Sequence, residues 1–276
     1  MEEKHGIRPG QSLELLKELH ILTRDGRMNQ DSRRKLKQVY HLYRFIEPLL
    51  LERQQAFPDI QLVDVGAGKS YLGFILHDLF FKALGGGAHI YGIETRHELV
   101  EKSRALAQRL AFTGMSFLDK TVADALTATE LPARIDMVTA LHACDTATDD
   151  AIRFALGRQA ECIVLAPCCQ AELAAILRKN KGKALANPLA ELWRHPLHTR
   201  EFGSQVTNVL RCLQLEAHGY QVNVTELVGW EHSLKNELII ARRHNQPGRH
   251  HAARLDELLR LLGLEEMRQR FFTPAF

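Results

Sequence analysis

Two short stretches of this sequence concentrate side chains that can do chemistry, LHACDTATDD at 141–150 and APCCQ at 166–170. Three chemistries compete for them. His142, Asp145 or Asp149 can take a proton from a hydroxyl or amine as that group attacks an electrophile, alignment of the reacting atoms supplying most of the acceleration. Cys168 or Cys169 can instead attack a pyrimidine ring as a thiolate. His142, Cys144, Cys168 and Cys169 together offer the nitrogen and sulfur donors that zinc accepts. Adjacent cysteines are poorly placed to share one metal, however, and no C-x-x-C spacing is present, so no metal site is expected. The bland alternative is packing: free cysteine is often a small buried residue, which fits Cys162 and Cys212 as well. Thr148 and Asp149 can also simply cap a helix.

A second set of residues suits binding rather than reaction. VDVGAGKSYLG at 63–73 contains Gly68-Lys69-Ser70, the ending of a phosphate loop. Such a loop needs G-x-x-x-x-G-K-[ST], and Val63 stands where its first glycine belongs. The turn also misses G-x-G-x-x-G, because the third position is Tyr71. What remains is strand, Asp64-x-Gly66-x-Gly68, helix, followed by a strand ending in Glu94 and by Asp124 in VADAL, expected at the end of a third strand. The glycines let a ligand lie against the backbone. Glu94 can accept hydrogen bonds from both ribose hydroxyls, and Asp124 can accept from an adenine amino group. Three acids at successive strand ends suit a nucleoside cofactor that has no phosphates and carries a cationic sulfonium, S-adenosylmethionine. Ala67, Tyr71, Thr95, Ala125, Leu141 and His142 flank these positions and complete the expected cofactor contacts. Lys69 needs no phosphate role and is expected in solvent, with Ser70 as a helix N-cap.

The elements that must position these residues are legible as changes of period. Leu13, Leu16, Leu19 and Leu22 have helical spacing, and Leu36, Val39, Tyr43, Ile46 and Leu50 mark a second helix that Pro48 should bend or end. From Ile60 short apolar runs alternate with amphipathic segments, which predicts an α/β fold, a parallel sheet with crossover helices. Strands are expected at 60–65, 89–94, around 116–122, at 135–141, 161–167, 220–228 and 237–243. The last two are too close for a crossover helix and should form an antiparallel hairpin closing a seven-stranded Rossmann-like sheet. The organisation expected is a helical extension over 1–58, a cofactor-binding domain over 59–245 and a C-terminal helix over 246–276. Residues 182–205, inside a connection far longer than the usual ~2–6 residues, are a possible lid or substrate contact.

With 276 residues, 45% of them hydrophobic and 25% charged, the chain has the make-up of an ordinary globular protein. Its formal charge of +3 permits a nucleic-acid partner without requiring one, so clustering decides. Arg33, Arg34, Lys35 and Lys37 gather four positive charges on the second helix, where they can contact RNA phosphates or simply face water. Trp193 can stack on a base or belong to the core. Five cysteines, an odd number, and the start MEEKHG, which lacks a charged-then-apolar leader, lead us to expect a reducing cytosol. No apolar run approaches the roughly 20 residues of a membrane span.

The ordered acids and the glycine turn resemble the class I S-adenosylmethionine-dependent methyltransferases over about 60–245, a family with a seven-stranded sheet whose last pair is antiparallel. H-x-C-x-x-A-T-D followed by a strand ending in Cys168-Cys169 is similar to the tRNA 2′-O-methyltransferases of the acceptor stem. LHACDTATDDAI with PCCQ resembles more closely a methyltransferase family that includes ribosomal-RNA-methylase-like proteins. Those tRNA enzymes read K-H-L-C-G and C-C-H, and this chain departs from them at Leu141, Asp145 and Gln170. The Pro-Cys pair of cytosine C5 methylation follows the fourth strand, whereas Pro167-Cys168 follows the fifth. HSLKNELIIA, with Lys235-Asn236, resembles the family's closing hairpin. The resemblance implies a methyltransferase, with RNA (rRNA or tRNA) the acceptor that the basic segments favour; the alternatives are a methyltransferase for a small molecule or protein, or a protein that binds S-adenosylmethionine without catalysis.

Overall fold

The computed structural model describes residues 6–141, 145–167, 171–179, 188–226, 237–244, 246 and 248–272. The strands are β1 (Gln61–Val65), β2 (His89–Glu94), β3 (Met115–Asp119), β4 (Met137–Leu141), β5 (Cys162–Ala166), β6 (Tyr220–Glu226) and β7 (Glu237–Arg243). They form one sheet in the order β3-β2-β1-β4-β5-β7-β6. The first five are parallel, and β7 runs antiparallel to both β5 and β6. This is the expected Rossmann-like sheet with its closing hairpin; Lys235 and Asn236 lie outside the described residues. All five residues of β1 are buried, as a central strand covered by helices on both faces must be.

One face of the sheet carries α1 (Leu13–Glu18), α2 (Gln30–Ala56), α3 (Tyr71–Leu79) and α4 (His97–Arg109), whose apolar residues join Leu62, Met137, Val164 and Leu238 in one cluster. The other face carries α5 (Val122–Leu126) and α6 (Thr146–Gly157), packed over Val63, Val138 and Ile163. A third cluster joins α7 (Glu172–Lys179), α8 (Pro196–Ala217), α9 (Arg249–Leu261) and α10 (Arg268–Phe271).

Several boundaries differ from the sequence reading. The first helix stops at Glu18, and Leu19 and Leu22 are buried by the turn that follows it. Pro48 neither bends α2 to a stop nor ends it: the helix runs on to Ala56. Pro48 is exposed, and so is Arg44, whose carbonyl would have taken the missing N–H, so water can satisfy it. The third strand lies a little earlier than 116–122. α8 begins at Pro196, with proline in the first turn where its missing N–H costs nothing. The C-terminal helix is broken at Gly263, φ +66°. There Leu264 N–H reaches Leu259 O and Gly263 N–H reaches Arg260 O, at 2.8 and 3.1 Å, a Schellman stop. Of the stretch 182–205, the described part is built into the third cluster: Trp193 is 2% exposed and stacks on Phe202 at 5.2 Å. A base-stacking role for Trp193 is therefore replaced by a core role.

Candidate active site

In a sheet of this order the crossovers diverge between β1 and β4, opening a crevice at the carboxyl ends of those strands. The glycine turn lies at that point. Gly66 and Gly68 both have left-handed backbones, φ +67° and +60°, which a β-carbon would strain. A β-carbon added at Gly66 would meet nothing within 4 Å, so the turn presents bare backbone to open space. Three of its amides are spent within the protein: Ala67 N–H donates to Ile93 O at 2.9 Å, Ser70 N–H to Ala67 O at 2.7 Å, and Gly68 N–H to Glu94 Oε2 at 2.8 Å. A phosphate loop needs such groups free, which removes the nucleotide-triphosphate reading of Gly68-Lys69-Ser70. Lys69 is exposed, as expected. Ser70 occupies the N-cap position of α3 but makes no capping bond.

Two carboxylates flank the turn in opposite electrostatic states. Asp64 is 3% exposed and accepts a hydrogen bond from Thr139 Oγ1 at 2.7 Å. Burial outweighs that bond and pushes its pKa up to about 7. Glu94 closes β2. Burial pushes its pKa up, but the Arg96 guanidinium and the backbone N–H groups of Arg96 and Gly68 outweigh it and hold the pKa at about 2. Arg96 reaches Glu94 through Nε at 2.9 Å and Nη2 at 3.1 Å, and Thr95 N–H adds a bond at 3.0 Å.

Asp124 is not at a strand end. β3 finishes at Asp119, whose carboxylate faces His97 Nδ1 at 2.7 Å, and Asp124 follows in the first turn of α5. There Thr121 caps the helix, accepting Asp124 N–H at 3.1 Å and donating its hydroxyl to Asp124 Oδ2 at 2.6 Å. A threonine three residues before an acid is a capping pattern, and it drew the chain out of the strand. Ala125, next to it, is buried. Tyr71 opens α3 with its hydroxyl 3.5 Å from Leu19 O, turned toward the N-terminal segment.

Asp149 is also displaced from its expected role. It is 4% exposed and bonded by Arg211 through Nε at 2.6 Å and Nη2 at 3.1 Å. A carboxylate so enclosed is a structural anchor and not a free proton acceptor. Leu141 ends β4, half-buried, while His142, Cys144, Cys168, Cys169 and Gln170 lie outside the described residues. Cys162 and Cys212 are packing residues: burial raises their thiols to about 11 and about 12.

A family model described as a methyltransferase domain matches residues 34–176, more than half of the chain. The chain belongs to this methyltransferase family. It is a class I S-adenosylmethionine-dependent methyltransferase, and the site fits that cofactor: bare glycine backbone, carboxylates at the ends of β1 and β2, and turn amides of Ala67, Gly68 and Ser70 already bonded within the protein. Among curated proteins, none matches the chain. Solved structures similar to this methyltransferase include the magnesium protoporphyrin IX methyltransferase of Synechocystis PCC 6803 with bound SAH, at 15% identity and TM-score 0.46, covering 83% of this chain and 93% of that one. Others are a fibrillarin pre-rRNA processing protein from Methanococcus jannaschii (10%, TM-score 0.44, 68% and 68%) and an rRNA methylase from Streptococcus thermophilus (10%, TM-score 0.40, 67% and 87%).

Three residues of the methyltransferase site escaped the sequence reading. Thr139 left a signal, a lone polar residue inside the apolar run IDMVTAL. Arg96 stands two residues past Glu94, and nothing local distinguishes it from a solvated arginine. Arg211 lies on a helix face with Thr207 and Leu210, all buried, yet no spacing links it to Asp149, 62 residues away.

Proposed function

We propose that this methyltransferase transfers methyl groups to RNA in the cytosol. The observation that supports an RNA acceptor is the basic run on α2. Arg33, Arg34, Lys35 and Lys37 are all exposed, while Leu36 between them is buried. The C-terminal end of α2 is held near the strand starts by Arg53, paired with Asp136 at 3.2 Å, and by Glu52, paired with Arg242 at 2.9 Å. At 1.5 Å per residue the basic run stands about 30 Å along the helix from Arg53, away from the strand starts. A cluster of four exposed cations on one helix is suited to phosphate. The free thiols of Cys162 and Cys212 support a reducing compartment.

S-adenosylmethionine supplies an electrophilic methyl group. Asp64 and Glu94, with Gly66, Ala67, Gly68 and Thr95, are the residues that would hold the donor, and the exposed carboxylate of Asp124 would be available to its adenine amino group. His142, the residue that follows β4 in the sequence, takes the proton from the attacking group in this reading. The test is incubation of the purified protein and methyl-labelled S-adenosylmethionine with RNA from cells lacking it, followed by mapping of the label. Label at one nucleotide of an rRNA or tRNA is the expected result. Label found only in protein or small molecules would transfer the activity to another acceptor class.

A further inference from the structure

Asp145, the residue that opens α6, is held from two sides. Its backbone sits at φ 52°, ψ −118°, a region that favours glycine. A side chain persists there only where its surroundings over-determine the conformation. The Asp145 carbonyl accepts a hydrogen bond from Arg211 Nη2 at 2.8 Å. Its Oδ1 accepts the backbone N–H groups of Ala171 at 3.1 Å and Glu172 at 3.4 Å, where α7 begins.

Arg211 is itself immobilised. It is fully buried, forked onto Asp149, and bonded through Nη1 to Asn208 Oδ1 at 3.1 Å. Asn208 Nδ2 reaches Glu237 Oε2, at the start of β7, at 2.6 Å. A continuous chain of polar contacts thus runs from β7 through α8 and α6 to α7. It joins two segments that the sequence alone leaves unrelated. β4 and β5 are neighbours, with Leu141 opposite Ala166. The connection leaving β4 carries His142 and Cys144 and reaches Asp145; the one leaving β5 carries Cys168 and Cys169 and reaches Ala171. The Asp145 carboxylate bonds the far end of the first to the far end of the second.

We infer that Asp145 is a positioning residue for methyl transfer: its carboxylate clamps the connection after β4 to the connection after β5, with Arg211 as the buried anchor. In this role its Oδ1 serves two backbone donors and proton transfer is assigned to another group, a division that the variants below test. The assignment rests on methyl transfer at this crevice and not on the acceptor being RNA.

Asparagine keeps an acceptor oxygen at Oδ1 and loses the basicity, whereas alanine loses both. Asp145→Asn and Asp145→Ala are therefore compared with the unaltered protein in amide exchange at Ala171 and Glu172, in calorimetric affinity for S-adenosylmethionine, and in the rate of label transfer to RNA. Loss of a side-chain cap accelerates local exchange about tenfold. The alanine variant should show that acceleration and a transfer rate lowered tenfold or more, with cofactor affinity within about twofold. The asparagine variant should recover both exchange and rate to within about threefold. An asparagine variant with restored exchange and a rate as low as alanine's would make Asp145 the proton acceptor and overturn the proposal. Unchanged exchange in the alanine variant would overturn the clamp itself. Should the unaltered protein transfer no label to RNA, the RNA reading fails separately, and exchange in the two variants still decides the clamp.

Discussion

Asp64 and Glu94 are both carboxylates at the ends of neighbouring strands, and their environments drive them apart. Glu94 sits among donors, three backbone N–H groups and a guanidinium, so its charged form is stabilised. Asp64 has one hydroxyl donor, is flanked by Val63 and Val65, and its desolvation is not offset. The linkage to stability has opposite signs. Asp64 rises from 3.8 to about 7 on folding, so its contribution is fully present below about 3.8 and is lost as pH rises toward about 7. Glu94 falls from 4.5 to about 2, so its contribution is present above about 4.5 and lost as pH falls toward about 2. Asp64→Asn should therefore remove a decline in stability between pH about 4 and about 7, of the order of a few kcal/mol, while leaving the acid limb intact. Denaturant unfolding at a series of pH values, without cofactor, measures it. A variant whose profile parallels the unaltered protein's across that window would show that Asp64 ionises normally.

Helices and strands set where such residues stand, and several elements did so in ways local pattern does not convey. Asp124 is the clearest case: VADAL reads as the end of a strand until Thr121 is seen to cap α5. Pro48 is another, since α2 runs through it with the proline on the exposed side, where water can reach the carbonyl that lacks its N–H partner. The burial of Asp149 is a third, because it depends on α8 lying against α6. That contact makes a prediction about stability. Arg211→Met leaves the Asp149 carboxylate buried without its partner and should cost about 3–5 kcal/mol. Asp149→Leu combined with Arg211→Met removes both charges and should recover part of that loss. Urea unfolding of the two variants distinguishes an ion pair buried as tightly as this one from a solvent-screened pair, for which both changes would be small.

Across the whole molecule, the basic run on α2 and the crevice at the strand ends are served by different segments, so binding of RNA and of cofactor should separate. Replacing Arg33, Arg34, Lys35 and Lys37 with alanine should weaken RNA binding and lower the slope of log affinity against log salt by up to about 3, at roughly 0.7 per phosphate contact on a single strand. Affinity for S-adenosylmethionine should not move. Filter binding across a salt series, with calorimetry alongside, measures both, and an unchanged salt slope would place the RNA elsewhere. Seven strands, the closing hairpin, the glycine turn and the acid that ends β2 were legible from residue order alone. Each of these is written in residues close together, in alternation, backbone freedom or a strand's last position. Tertiary structure alone decided that Trp193 is core, that Asp149 belongs to Arg211 and that Asp145 joins two connections. Arg211 lies 62 residues from Asp149 and Ala171 lies 26 from Asp145, and what pairs such groups is the exclusion of water where elements meet, which no local spacing encodes.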